Sequence, residues 1–249
     1  MLHKLSTFAG VPGPVVVIIM DGYGIASNKA GSAIDAARKP TLDRLFAQFP
    51  HIRLRAHGTA VGMPSDEDMG NSEVGHNALG AGRVFPQGAK LCNEAIASKR
   101  IFDGESWKTI VERSKNGGTA HFIGLLSDGN VHSNIQQLLD ILDRCAEESI
   151  ARVRCHILTD GRDVGEKSAP GYIEALEAKL KACSTEGRDY RIASGGGRMY
   201  ITMDRYDADW DMVERGWKAH VLGEGRPFAS ALEAVQTYYA EDERVTDQH

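Results

Sequence analysis

Several features are scarce in this sequence, and each absence removes a class of function. There is no C-x-x-C pair. The four cysteines, Cys92, Cys145, Cys155 and Cys183, are widely scattered. That spacing argues against a zinc knuckle or a redox pair and fits reduced thiols in the cytoplasm. No apolar run approaches the roughly 18 residues that a membrane-spanning helix needs. The apolar run at 15–20 is short and ends in Asp21 rather than in a small-residue cleavage site, so it does not read as a signal peptide. No dense Lys/Arg block occurs and the formal charge is −5, which excludes the basic stripe expected of a nucleic-acid binder. A small anionic substrate stays open, because a local group of arginines can outweigh a mildly acidic whole.

What is present is an ordinary globular composition. The chain has 249 residues, 42% hydrophobic and 25% charged, enough for one large domain or two smaller ones. Residues 15–20 form a continuous β-branched run, which predicts a strand buried on both faces, as in a parallel sheet. Asp21-Gly22-Tyr23-Gly24 breaks it, placing Asp21 at the carboxyl end of that strand, where open α/β sheets bind ligands. Pro40 suits the first turn of a helix, with Leu42, Leu45, Phe46 and Phe49 at helical spacing. Residues 51–56 read as a short strand. Residues 58–75 are rich in Gly, Ser, Asp and Asn and read as a loop too polar for a core. A Gly-rich stretch at 80–88 suggests a domain boundary, giving segments 1–86 and 87–249. Beyond it one theme repeats. Strands at 120–126, 153–158 and 190–193 alternate with helices carrying Ile135, Leu138, Leu139 and Leu142, then Tyr172, Ile173, Leu176 and Leu180. This is βαβαβ, which predicts a parallel sheet with right-handed crossovers. Trp210, Val213 and Trp217 sit at helical spacing and read as packing.

Three groups of residues could carry chemistry. Asp21 is either a turn former, as most Asp-Gly aspartates are, or a hard carboxylate ligand for a divalent ion. Ser72, within Gly70-Asn71-Ser72-Glu73-Val74-Gly75-His76, is either a helix N-cap or a nucleophile at a helix N-terminus, where free N–H groups would hold a phosphate. A serine hydroxyl needs activation by a base or a metal. Asp66, Glu67, Asp68 and Glu73 nearby are an excess of anions for a bare phosphate site, and a divalent metal would resolve that conflict. His132, Arg162, Asp163, Arg198 and Arg205 lie in or just after loops that leave the carboxyl ends of the predicted strands. In a parallel sheet those loops share one edge, so the cations would converge into a site for a small phosphorylated acid, with Asp163 placed to accept a substrate hydroxyl.

Five motifs in this order carry a family resemblance: Met20-Asp21-Gly22-Tyr23-Gly24, Gly70-Asn71-Ser72-Glu73-Val74-Gly75-His76-Asn77, Ser127-Asp128-Gly129-Asn130-Val131-His132-Ser133, Asp160-Gly161-Arg162-Asp163, and Gly197-Arg198-Met199-Tyr200 through Met203-Asp204-Arg205-Tyr206. The chain resembles the 2,3-bisphosphoglycerate-independent phosphoglycerate mutases of the alkaline-phosphatase superfamily, most closely the plant and trypanosomatid branch. The resemblance implies an α/β protein in which an N-terminal piece of an alkaline-phosphatase-like parallel sheet (1–86) precedes a βαβαβ transferase domain (87–249). It implies that Asp21 is a metal ligand and that Ser72 is the phosphorylated nucleophile on the same metal. It implies that His132, Arg162, Asp163, Arg198 and Arg205 bind phosphoglycerate. The implied cofactors are two Mn²⁺ ions, with Mg²⁺ or Co²⁺ as substitutes, and no 2,3-bisphosphoglycerate. The implied reaction is the glycolytic interconversion of 3- and 2-phosphoglycerate through phosphoserine, in a cytoplasmic enzyme that is monomeric when complete, with no nucleic-acid or membrane partner.

One departure matters. Members of that family are substantially longer, and a later segment brings most metal ligands, a further Arg pair and a Lys. Asp21 and Ser72 cannot by themselves fill the six or so oxygen positions of a hard cation. The chain is therefore expected to be the N-terminal part of such a protein, to expose a large apolar face, and to have little or no mutase activity alone. Two other classes are weighed beside it: a metal-dependent phosphomonoesterase of the same superfamily, which has no need of the His132, Arg162 and Arg198 set, and a non-catalytic phosphoglycerate-binding module.

Overall fold

In residues 120–197, runs of β-branched and small residues alternate with amphipathic stretches, and the computed structural model shows what that alternation builds. It describes residues 6–20, 22–204 and 206–249. Asp21 and Arg205, two of the expected site residues, lie outside the described residues.

Three strands, β1 (Ala120–Leu125), β2 (Arg152–Thr159) and β3 (Asp189–Gly197), form a parallel sheet in the order β1-β2-β3. The expected βαβαβ is thus present. Its helices, in chain order after β1, are α6 (Ile135–Glu147), α7 (Ala169–Cys183), α8 (Trp210–Trp217) and α9 (Ala231–Glu241). Before it come α1 (Ala33–Ala36), α2 (Pro40–Gln48), α3 (Ser72–Ala81), α4 (Gly88–Ala97) and α5 (Glu105–Lys115). The core lies where the sheet meets α6 and α7. Leu142, Cys145, Ile173 and Leu176 pack there against Val153, Cys155 and Ile157 from β2 and Tyr190 from β3. Asn134 caps α6 by accepting the Gln136 amide hydrogen bond, and α9 adds Ala231, Leu232 and Val235 to the outer side of the core. Side chains alternate along a strand, so the other sheet face carries His121 and His156. An irregularity at Cys155/His156 shifts the register of β3 and leaves Ser194 Oγ 2.7 Å from both His156 Nδ1 and His220 Nδ1.

The chain divides into two compact units, Met1–Leu54 and Arg55–His249. The first behaves differently from expectation. Residues 15–20 form no strand, and their side chains are exposed, Ile18 to 80%. A strand is a relation between segments, and no described segment supplies the N–H and C=O partners that this run would need. Residues 51–56 likewise form no strand, with Ile52 and Leu54 exposed. α2 begins at Pro40 as expected, yet Leu45 and Phe46 are exposed, so the apolar face that the pattern implied is present without a core beneath it. Two further expectations need correction. Within 58–75, Val61, Met63 and Val74 are buried together as a small satellite core, because the loop folds back on itself. Trp210 and Trp217 do lie on a helix but are largely exposed, and α8 instead buries Met212 and Gly216.

The core assignment predicts a contrast. Leu176→Ala should lower unfolding free energy by about 2–5 kcal/mol, whereas Ile18→Ser should change it by less than about 0.5 kcal/mol. Urea unfolding measures both, and a larger loss at Ile18 would overturn the assignment.

Candidate functional site

The carboxyl ends of β1, β2 and β3 each open into a loop, and the three loops meet. After β2, Asp160 is fully buried. Its Oδ1 accepts from Arg198 Nη1 at 2.7 Å and from the Asp163 amide at 3.0 Å, and its Oδ2 accepts from the Ser127 hydroxyl at 2.6 Å. Burial pushes the Asp160 carboxyl up, but these donated bonds outweigh it and hold the group below the usual carboxylate range. Arg198, after β3, is also buried, and the same Nη1 donates to Asp163 Oδ2 at 2.6 Å. Burial works against its charge, while Asp163 and Asp160 more than restore it. Its Nε is buried without a hydrogen-bond partner. His132, after β1, is half exposed with Nε2 4.0 Å from Asp163 Oδ2. Arg162 is exposed beside them. The structure therefore brings His132, Asp163 and Arg198 together and leaves Arg162 at the rim.

Asp160 and Ser127 are the residues that sequence reasoning missed as individuals. The available signal was position: an Asp-Gly pair at the carboxyl end of a strand. The loop after β1 is held from several sides. Asn134 Nδ2 donates to Asn130 Oδ1 at 2.9 Å, the Ser133 hydroxyl donates to the Leu125 carbonyl, and Tyr172 donates to Asp128 at 2.6 Å.

Ser72 opens α3, and the N-cap is Asn71, whose side chain accepts from the Val74 amide at 3.0 Å. Ser72 is thus the first helical residue rather than the cap. His76, one turn on, has Nδ1 2.7 Å from the Ser72 carbonyl and 3.2 Å from Ser72 Oγ. A carbonyl can only accept, so Nδ1 carries the proton and cannot receive one from the Ser72 hydroxyl. A serine–histidine dyad is excluded in this geometry. Two of the four acids near Ser72 are also already engaged. The Thr59 hydroxyl and amide, with Arg55, hold the Asp66 carboxyl at about 2. Asp68 accepts from the Ser65 amide at 2.7 Å and from Asn130 Nδ2 at 2.6 Å. That last bond joins the Ser72 loop to the His132 loop across 62 residues of sequence. Beside it lies a cleft of about 320 Å³, with Asn71, Glu73 and Asn77 of the α3 region on one side and Asn130 and His132 on another.

Among the described residues, no three His, Cys, Asp or Glu side chains lie close enough to hold a metal ion, so these residues by themselves do not fit a two-ion centre. No helix among them is long and apolar enough to cross a membrane.

A family model described as BPG-independent PGAM N-terminus matches residues 92–249. A probable 2,3-bisphosphoglycerate-independent phosphoglycerate mutase of Leptospira interrogans is 54% identical over 238 residues, covering 94% of this chain and 43% of that protein. The mutase of Trypanosoma brucei brucei is 50% identical over 237 residues, with 94% and 43% covered. A solved structure of Leishmania mexicana phosphoglycerate mutase, determined at low cobalt concentration, matches with a TM-score of 0.80 and 52% identity, covering 86% of this chain and 40% of that one. The chain thus spans less than half the length of these relatives.

The depressed Asp160 carboxyl contributes stability that is complete above its unfolded value near 4 and is lost as pH falls through its lower folded value. Asp160→Asn should therefore have a lower Tm at neutral pH and a flatter decline of Tm as pH drops from about 5 to about 2. Thermal melts across that range are the check, and parallel profiles for the two proteins would contradict the ionised, buried role.

Proposed function

The chain belongs to the BPG-independent phosphoglycerate mutase family, and from that membership we propose that it supplies the nucleophile and the phosphoglycerate-binding loops of a mutase that interconverts 3- and 2-phosphoglycerate. The observation that carries the proposal is the Asp68–Asn130 bond with the cleft beside it, which sets the Ser72 helix against the loop of His132. A phosphoryl carrier and an anion-binding edge sharing one cleft suit an intramolecular transfer.

In this reading Arg162, Arg198, Arg205 and His132 bind the phosphate and carboxylate of the substrate. Arg162 is exposed and can make a bidentate contact. Arg198 is oriented by its two carboxylates, and its unpaired Nε is a donor whose neglect costs about 1–3 kcal/mol, a deficit that an anionic oxygen would relieve. Asp163 keeps one oxygen on Arg198 and receives a glycerate hydroxyl with the rest of its acceptor capacity. The Ser72 oxygen attacks phosphorus as the bond to the 3-oxygen of glycerate breaks, and the proton lost by Ser72 is balanced by one gained at that 3-oxygen. Glycerate then turns in the cleft, and its 2-oxygen takes the phosphoryl group as the Ser72–phosphorus bond breaks, the 2-hydroxyl proton being balanced by the one that Ser72 recovers.

We assign residues 1–86 to the metal-binding part and 87–249 to the substrate-binding part. Two divalent ions, Mn²⁺ first, would lower the hydroxyl pKa of Ser72, with Asp21 and Ser72 as this chain's ligands. The remaining ligands would come from the portion of the relatives that this chain does not match. The four unpaired cysteines suit a cytoplasmic setting, and we assign a monomer.

Calorimetric titration of 3-phosphoglycerate into this chain, with EDTA present, tests the proposal. Binding should survive Ser72→Ala and weaken at least about tenfold in Arg162→Ala, the loss of one charge-assisted contact. With Mn²⁺ added, the same chain should show negligible conversion to 2-phosphoglycerate. Binding indifferent to Arg162, with Mn²⁺-dependent hydrolysis of simple phosphate esters, would favour a phosphomonoesterase instead.

A further inference from the structure

Residues 246–249 lie across the carboxyl edge of the sheet, and none of the chemistry above uses them. We propose that Asp247 is a positioning residue that locks the loops after β2 and β3 into one rigid phosphoglycerate receptor. The inference rests on the reading that those loops bind phosphoglycerate.

Asp247 is almost fully buried, and a carboxylate removed from water must be met by donors. It meets two, from different helices. Oδ2 accepts from the Ala169 amide at 2.8 Å, at the first residue of α7, and Oδ1 accepts from the Tyr239 hydroxyl of α9. Ser168 stands at the N-cap of α7, but its hydroxyl donates to the Gly165 carbonyl instead. Asp247 therefore does from 78 residues away what a local cap would do. Burial, and the carboxylate beside it, raise the Tyr239 hydroxyl so far that it remains a donor at any ordinary pH.

The backbone around Asp247 completes the lock. Its amide donates to the Glu166 carbonyl at 2.8 Å, and its carbonyl accepts from the Thr159 hydroxyl at 2.5 Å, one residue before Asp160. Gln248 Nε2 donates to the Gly161 carbonyl at 3.0 Å. On the β3 side, the Gly197 and Met199 amides donate to the carbonyls of His249 and Gln248, at 2.8 and 2.9 Å, while the Arg198 amide between them donates to the Thr159 carbonyl at 3.0 Å. All three amides that set the backbone of Arg198 are thus fixed by residues 248–249 or by the end of β2.

The approach is close enough to require glycine. A Cβ on Gly161, whose φ is +59°, would lie 2.8 Å from Asp247 Cβ, and one on Gly197 would lie 2.2 Å from the Gln248 carbonyl carbon. Both glycines stand inside the motifs that mark the site, and the segment 246–249 accounts for them.

The sign of the effect separates positioning from electrostatics. A carboxylate near an anion site repels the ligand, so a purely electrostatic role predicts tighter binding when the charge is removed. Positioning predicts the reverse for Asp247→Ala and a rescue by Asp247→Asn, whose oxygen still accepts from Ala169 and whose amide can donate to Tyr239.

The experiment is a 3-phosphoglycerate titration of the 249-residue chain and its Asp247→Ala, Asp247→Asn and Tyr239→Phe variants, held well below each Tm, together with amide hydrogen exchange without ligand. Asp247→Ala should bind about tenfold more weakly, Asp247→Asn within a few-fold of the parent, and Tyr239→Phe between them. Exchange at 161–163 and 197–199 should quicken in Asp247→Ala while the centres of β1 and β2 stay protected. If Asp247→Ala fails to fold, the decision passes to Tyr239→Phe, which must show the same faster exchange and weaker binding. Unchanged or tighter binding by the folded variants, with unchanged loop exchange, overturns the inference and leaves the proposed function standing. No binding by the parent chain overturns both.

Discussion

A buried guanidinium shared between two carboxylates constrains everything else at the carboxyl edge. Arg198 bridges Asp160 and Asp163, and such a group is tolerated in a protein interior only when its charges and donors are met with good geometry. Meeting them requires loops from three strands to arrive together. The parallel order β1-β2-β3 puts those loops on one edge, Ser127 from the first satisfies the far oxygen of Asp160, and the segment around Asp247 fixes the backbone that presents Arg198. Hydrophobic packing of α6 and α7 stabilises the sheet, but the ion triad dictates how the loops above it are arranged.

The Ser72 side obeys a different constraint. Ser72 sits in the first turn of α3, where N–H groups and the helix dipole favour negative charge. His76, one turn on, is committed to the Ser72 carbonyl, so that histidine does not serve as its base. The two engaged acids, Asp66 and Asp68, hold the loop in shape through the donors they accept from. Asp68 has a second consequence, since its bond to Asn130 ties the Ser72 loop to the His132 loop through a side-chain contact.

Legibility in the sequence followed the range of the interaction concerned. Helices α6 and α7 and strands β1 to β3 were readable because periodicity is local and each element buries one face against the same core. The convergence of His132, Asp163 and Arg198 was readable because parallel topology alone puts strand-end loops side by side. Residues 15–20 misled for a physical reason: β-branched residues prefer extended backbone, but a strand needs a neighbour to bond. Trp210 and Trp217 misled because helical spacing identifies a face without saying whether anything covers it. Asp160 was visible only as part of the Asp160-Gly161-Arg162-Asp163 motif, because its partners Ser127 and Arg198 are far away in sequence. Asp247 gave no signal at all, since its role depends on an amide far away in sequence, and Gly161 and Gly197 make sense only once that segment is seen against them.

The central claim is that the three strand-end loops form one phosphoglycerate receptor. It is tested most directly by following backbone amide shifts of the isotopically labelled chain as 3-phosphoglycerate is added. The account predicts that amides at 128–132, 160–163 and 197–199 shift together, along one saturation curve, while those of α5 and α9 stay still. Shifts confined to one loop, or saturating at different concentrations in the three loops, would contradict it.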